Sequence, residues 1–152
     1  MADDGEPTAA TETAALRDAL AAEHAAVWGY GTVGAALGAE RRAGAVAAES
    51  AHRDVRDRLT ALLEDRKADP VPAKAAYELP FPVISAVDAA KLAVVLEDGV
   101  AAAWVRVLDR AAERSTRQLA VDVLGATEVR AVTWRGQAGE SPVTSAFPGL
   151  TD

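Results

Sequence analysis

The strongest constraint on the fold of this chain is a helical spacing of apolar residues that recurs in four segments. In residues 11–37, apolar positions follow one another at steps of three and four, which places them on one face of an α-helix. The same spacing occurs in residues 41–67, in a segment that begins at Ser85, and in one that begins at Ser115 and fades near Gly136. Alanine, the best helix former, supplies much of the apolar content. The sequence therefore predicts an all-α protein with four helices.

Two short connections and one long connection join these helices. A turn at residues 38–40 follows the first helix, and the capping-box sequence Ser115-Thr116-Arg117-Gln118 opens the fourth. Residues 68–86 contain four prolines, which exclude a continuous helix, together with apolar side chains that can pack along the other helices. Two antiparallel hairpins joined by one long crossover between helices 2 and 3 are typical of a ferritin-like four-helix bundle.

The bundle is predicted to occupy residues 11–139. It follows a flexible acidic N-terminus, residues 1–10, and precedes a C-terminal tail, residues 140–152, which holds two prolines. Phe147 and Leu150 in this tail are expected to dock on the bundle, because they are its largest apolar side chains.

Charge and composition exclude several kinds of partner. The formal net charge of −7 argues against a binder of nucleic acid or of an anionic membrane, since no basic excess is present to neutralise phosphates. The chain has no cysteine, which removes disulfides, thiolate metal sites and cysteine nucleophiles. No apolar run is long enough to span a bilayer, and the N-terminus does not resemble a signal peptide. We therefore expect a cytoplasmic protein.

Each predicted helix carries one glutamate on its apolar stripe, and these are Glu23, Glu49, Glu97 and Glu128. Burying an unpaired carboxylate costs several kcal/mol, so such groups are paired, protonated or bound to metal. With turns near Gly38 and Ser115, both hairpins bring their glutamates to about mid-length, and His52 lies opposite Glu23. These positions are the candidate site.

Glu49 and His52 form a Glu-x-x-His pair, whose members lie on one face of a helix and can bind the same ion. With the other three glutamates, the pair resembles the ligand pattern of the ferritin-like di-iron and di-manganese carboxylate proteins. The resemblance implies oxidase or peroxide-handling activity, with one or two iron or manganese ions held by Glu23, Glu49, His52, Glu97 and Glu128. It also implies that Tyr30 and Trp104 lie beside the metal. The sequence departs from the pattern where Ala131 replaces the second histidine.

A narrower resemblance is to an uncharacterised actinobacterial ferritin-like domain family. Its Ala-rich members share a Glu-His…Tyr-Gly first helix, which is present here as Glu23-His24 and Tyr30-Gly31. This resemblance implies the ferritin-like fold and no established activity.

A metal-free core is the alternative. Arg56 and Arg135 each follow a stripe glutamate by seven residues, so each stays on the core-facing side of its helix two turns along. Their guanidiniums can neutralise the carboxylates in place of metal, which gives a Glu–Arg network in a protein that acts by partner binding or self-association. A homodimer is expected with either core, because symmetric pairs are the commonest assembly. The sequence leaves open whether the protein is an enzyme.

Overall fold

The computed structural model describes residues 6–150. This part of the chain contains no β-strand and folds into four α-helices, α1 Ala9–Ala36, α2 Ala39–Asp65, α3 Ala86–Arg110 and α4 Arg114–Ala138. The prediction of an all-α protein with four helices is confirmed. Helix α1 packs against both α2 and α3, and α3 packs against α4. None of these helices combines the length and the apolar character that a membrane span requires.

The predicted helix boundaries are correct to within about two residues, and the caps explain the differences. Helix α1 begins at Ala9 because Thr8 and Thr11 form a capping box; residues 1–5 of the predicted flexible N-terminus lie outside the described residues. The Ser85 hydroxyl caps α3 as predicted, accepting a hydrogen bond from the Asp88 amide at 3.1 Å. The capping box predicted at Ser115 is wrong, because the N-cap of α4 is Glu113, two residues earlier.

The connections between the helices fix their directions. Two residues separate α1 from α2, and three separate α3 from α4, so each pair reverses direction within one turn. The long connection, residues 66–85, lies along α1 as an extended segment. In it, the Tyr77 ring packs against Trp28 in a tilted arrangement with ring centroids 5.7 Å apart, and the Val71 carbonyl lies 3.0 Å from His24 Nε2.

The apolar core is divided into two clusters. One is built around Trp104 and includes Leu16, Leu20, Leu59 and Leu63. The other contains Tyr30 and Trp134 and is otherwise rich in alanine and valine. Buried polar residues lie between the two clusters along every helix, namely Glu23 in α1, His52 in α2, Glu97 in α3 and Thr127 in α4. This polar layer positions the candidate site at mid-height.

The C-terminal tail is held to the helices by its backbone. Gly149 has φ +76°, and a Cβ atom added there would lie 2.6 Å from the Ala101 carbonyl oxygen of α3. The Val143 carbonyl accepts a hydrogen bond from Arg135 at 3.2 Å. Phe147 and Leu150, by contrast, are 66% and 60% exposed. The tail therefore contacts the bundle as expected, but through a glycine and not through its two large apolar side chains.

Candidate functional site

The polar layer centres on His52, whose ring lies between two carboxylates from different helices. Its Nδ1 is 2.7 Å from Glu23 Oε2, and its Nε2 is 3.2 Å from Glu97 Oε1. All three side chains are at most 1% exposed. When both carboxylates are ionised, only a doubly protonated imidazolium can donate to both. The geometry therefore favours a positively charged His52.

Three further donors complete the site, which we call the core cluster (Glu23, Tyr30, His52, Glu97, Trp104 and Arg130). The Trp104 indole donates to Glu23 Oε1 at 2.8 Å. The Tyr30 hydroxyl donates to Glu97 Oε1, and Arg130 Nε donates to the same oxygen at 3.0 Å. Tyr30 also stacks on the His52 ring, with centroids 5.5 Å apart. Glu97 Oε2 is buried and has no hydrogen-bond partner among the described residues.

The pKa values in the core cluster follow from these contacts. Burial by itself lowers the pKa of His52, but the hydrogen bonds to Glu23 and Glu97 reverse this and raise it to about 8. Burial raises the pKa of Glu97, yet the hydrogen bond from His52 and the charges of His52 and Arg130 hold it below its ordinary value. Burial and the neighbouring Glu97 carboxylate raise the pKa of Tyr30 far above its usual range. At neutral pH, Glu97 is therefore ionised and Tyr30 is a neutral donor.

The charges of the core cluster cancel. Two carboxylates, Glu23 and Glu97, face two cations, the His52 imidazolium and the Arg130 guanidinium. Burying two ion pairs is tolerated because nearly every charged atom also has a hydrogen-bond partner. The protein's own side chains therefore balance the charge of the polar layer.

Two of the predicted ligands lie outside the core cluster. Glu49 is partly exposed and accepts from Arg53 Nε on the next turn of α2, at 3.0 Å. Glu128 is also partly exposed and pairs with Arg135 at 3.3 Å. Residues at i and i+3 lie about 60° apart round a helix, so His52 points to the centre while Glu49 is turned towards the flank. The structure brings together Glu23, His52 and Glu97 and separates them from the other two glutamates.

Of the two arginines predicted to neutralise the stripe glutamates, Arg135 pairs with one of them and Arg56 does not. Arg56 pairs with the adjacent Asp57 at 2.7 Å. Arg135 binds Glu128, as the Glu–Arg network requires, and also binds Asp98 at 2.6 Å. Neither contacts Glu23 or Glu97 among the hydrogen bonds of the described residues.

Arg130 and Glu12 are the charged core residues that the sequence analysis missed. A signal for Arg130 was present, because the hairpin register places residue 131 opposite Glu97 and Arg130 is its neighbour. Glu12 is fully buried, and its carboxylate accepts hydrogen bonds from the Thr116 hydroxyl at 2.6 Å and the Glu113 amide at 2.8 Å. It also pairs with Arg66 at the end of α2. Glu12 thereby caps the start of α4 from another helix.

The core cluster does not fit a two-metal centre. Hydrogen bonds along the two nitrogens of one imidazole diverge, so Glu23 and Glu97 lie on opposite sides of the His52 ring and do not converge on one point. Among residues 6–150, no three histidine, aspartate or glutamate side chains are grouped so as to hold one ion. Ala131 is fully buried and offers no ligand, and the Arg130 cation already binds Glu97.

These features define a class: an all-helical, four-helix protein with a buried, charge-balanced carboxylate–histidine–arginine cluster. Residues 15–152 match the family described as "Domain of unknown function (DUF4439)", and the chain belongs to that family. It is also similar to the crystal structure of a conserved hypothetical protein, rv2844, from Mycobacterium tuberculosis. That similarity has a TM-score of 0.82 and 37% sequence identity, and covers 85% of this chain and 98% of the other. A search of curated proteins gave no match.

Proposed function

We propose that this protein is a ferritin-like four-helix bundle with a metal-free core, and that it acts as a binding or self-association module and not as a metalloenzyme. The observation that carries this proposal is the pairing of Glu97 with both His52 and Arg130. A carboxylate already neutralised by two protein cations gains little from a metal ion, which would first have to displace one of them.

The ferritin-like assignment is supported by the connections. Two tight hairpins, α1–α2 and α3–α4, are joined by the long segment 66–85, which packs along α1. One long crossover between two hairpins is the ferritin-like arrangement. The polar layer at mid-height in all four helices, which lies where such bundles place their metal ligands, also supports it.

Association is supported by the surface. Several valine and isoleucine side chains are more than half exposed, among them Val46 on α2 and Val121 and Val129 on α4. Exposed apolar side chains favour association when they are gathered at a contact. A homodimer is the proposed assembly, because two-fold pairs are the commonest closed oligomers.

Metal analysis and light scattering test the two parts of this proposal. Protein purified without a metal-binding tag and titrated with Fe(II) and Mn(II) is expected to retain far less than one ion per chain. Its melting temperature is expected to be unchanged by either ion. Light scattering over a concentration series is expected to give a dimer mass. One tightly held ion per chain would refute the metal-free core, and a monomer at all concentrations would refute self-association.

A second candidate function is favoured by the unpartnered Glu97 Oε2, a buried carboxylate oxygen that could ligate a cation. In this candidate a single iron or manganese ion binds at Glu97, and the protein has oxidase or peroxide-handling activity. Saturation at one ion in the same titration, lost in Glu97→Gln, would support it. Binding that survives Glu97→Gln would reject it.

A further inference from the structure

We infer that a groove between α1, α3 and the long connection binds a small organic cation with an apolar body. We call it the aromatic groove, and its principal lining residues are Trp28, Gly29, Tyr77, Glu78, Val95 and Leu96. It encloses about 390 Å³, which is within the range of small-molecule sites. The inference goes beyond the proposed function, since it adds a ligand on which neither the metal-free core nor self-association depends.

The two helical walls of the aromatic groove are built in the same way. They consist of Ala25, Trp28 and Gly29 from α1 and of Leu92, Val95 and Leu96 from α3. Residues at i, i+3 and i+4 share one face of a helix, so each helix turns one continuous patch towards the groove. Leu92 is buried, whereas Val95 is 44% exposed, so the α3 wall runs from the core to the surface. The groove is therefore apolar along its depth and accessible from solvent.

The third wall brings two aromatic rings together. The Tyr77 ring lies against Trp28 with its plane tilted by 48°, and both side chains are partly exposed. An aromatic face attracts a cation because the face of its π-system is negative. Tyr77 already shows this property, since the Lys74 ammonium lies 5.8 Å from its ring centroid, although Lys74 does not line the groove. The ring pair therefore offers a surface that can bind both an ammonium group and an apolar body.

Charge decides between ligands of opposite sign. Within residues 6–150, the only charged side chain in the lining of the groove is the exposed Glu78 carboxylate. The chain as a whole has a formal net charge of −7. A ligand with a carboxylate or phosphate group would be repelled, whereas an ammonium group would be attracted. The lining therefore fits a ligand with one positive charge on an apolar body.

The test is a titration with three probes of matched shape, phenylbutylammonium, phenylbutanol and phenylbutyrate, which are cationic, neutral and anionic. Binding is followed by NMR through the indole N–H signal of Trp28, which a Trp28→Phe variant assigns. The other two tryptophans, Trp104 and Trp134, are buried and serve as internal controls. Phenylbutylammonium is expected to shift the Trp28 signal and to bind about twofold to fivefold more tightly than phenylbutanol, as for one exposed ion pair. Phenylbutyrate is expected to bind most weakly.

Two pairs of variants locate the site. Glu78→Gln is expected to weaken phenylbutylammonium binding about twofold to fivefold and to leave phenylbutanol binding unchanged. Glu64→Gln makes the same change in net charge at an exposed position of α2 and is expected to alter neither. Val95→Phe places a larger side chain in the groove and is expected to abolish binding of both probes. Val121→Phe, at an exposed position of α4 outside the lining, is expected to leave binding unchanged.

Three results would overturn the inference. The first is a Trp28 signal that no probe shifts, which includes the case of a groove covered by a second copy of the chain. The second is phenylbutyrate binding as tight as that of phenylbutylammonium, or a Glu78→Gln variant with unchanged affinity for phenylbutylammonium. The third is undiminished binding in Val95→Phe. If Val95→Phe does not fold, Glu78→Gln still decides, because Glu78 is exposed. Failure of the proposed function appears instead in the metal content and mass of the protein without any probe.

Discussion

Among residues 6–150, each fully buried carboxylate is held by donors from other helices or from the residues next to their ends. Glu23 accepts from Trp104 and His52, Glu97 from Tyr30, His52 and Arg130, and Glu12 from Thr116, the Glu113 amide and Arg66. These contacts stabilise the fold only when every partner is present, because deletion of one partner leaves a buried charge that water cannot reach. Residues on the flank, such as Glu49, do not have this property.

Glu97→Gln is expected to destabilise the protein by about 3–5 kcal/mol, because it leaves the His52 and Arg130 cations facing one carboxylate. Glu49→Gln makes the same chemical change in α2 and is the matched control. Its partner Arg53 is 52% exposed, so the expected loss is below about 1 kcal/mol. Urea denaturation followed by circular dichroism measures both. Equal losses would mean that burial of Glu97 does not decide its contribution.

His52 predicts a loss of stability at alkaline pH. Its folded pKa of about 8 lies above the ordinary value of 6.5. The stabilisation by the charged imidazole is therefore complete below about pH 6.5 and is lost as the pH rises through about 8. The groups facing it are Glu23 from α1 and Glu97 from α3, with Arg130 from α4 bound to Glu97. The free energy of unfolding should fall by about 2 kcal/mol between pH 6 and pH 9.

Urea denaturation at a series of pH values measures this fall, and His52→Gln is the control. The variant is less stable at pH 6 but should lack the alkaline decrease attributed to the imidazole. An unchanged decrease in His52→Gln would assign it to another group.

Of the five predicted ligands, Glu23, His52 and Glu97 lie in contact with one another, whereas Glu49 and Glu128 lie on the flank; their role as ligands stays a prediction. Glu23, His52 and Glu97 follow from stripe and hairpin register, which are both fixed by local periodicity. Glu49 and Glu128 could not be assigned in the same way, since a rotation of 60° round the helix separates a central side chain from a flanking one. Arg130 was missed because a long side chain can reach the core from a position beside the stripe.

At the scale of the helix, Gly29 and Gly31 of α1 differ in the space around them. A Cβ atom on Gly29 would lie 2.7 Å from both methyl carbons of Leu96 in α3, whereas one on Gly31 would meet nothing within 4 Å. Gly29 therefore leaves room for the Leu96 side chain of α3. Gly31 only weakens the helix, since glycine is the less favourable residue in a helix interior.

Gly31→Ala is expected to stabilise the protein by about 0.5–1 kcal/mol, through the lower backbone entropy of the unfolded chain. Gly29→Ala has the same backbone gain but must displace Leu96, at a cost of about 1–3 kcal/mol, and is expected to destabilise by about 1 kcal/mol. Thermal and urea denaturation of the two variants should give changes of opposite sign. Two changes of the same sign would show that Leu96 moves aside freely.

Across the whole molecule, the helices and connections were predictable because they depend on neighbours in sequence. The Ser85 cap is such a case, with its partner Asp88 three residues away. The start of α4 was not, because the amide of its N-cap, Glu113, donates to Glu12, which lies 101 residues earlier. A local capping box at Ser115 was the natural prediction, and a contact that depends on the packed bundle replaced it.

Glu12→Gln tests this long-range cap, which joins the start of α1 to the end of α2 and the start of α4. Burial raises the pKa of Glu12, but its hydrogen bonds to Thr116, the Glu113 amide and Arg66 outweigh this and hold the pKa below its ordinary value. A lowered pKa gives stability that is present above about pH 4.5 and lost as the pH falls through the folded value. The variant should lose about 2–4 kcal/mol of unfolding free energy at pH 7, and its stability should decrease less steeply in acid.

Glu113→Gln is the control. The Glu113 carboxylate lies 3.4 Å from the same Arg66 but is 61% exposed, so this variant should stay within about 0.5 kcal/mol of the wild type. If Glu12→Gln has the same stability and the same acid profile as the wild type by urea denaturation, the Glu12 carboxylate does not stabilise this end of the bundle.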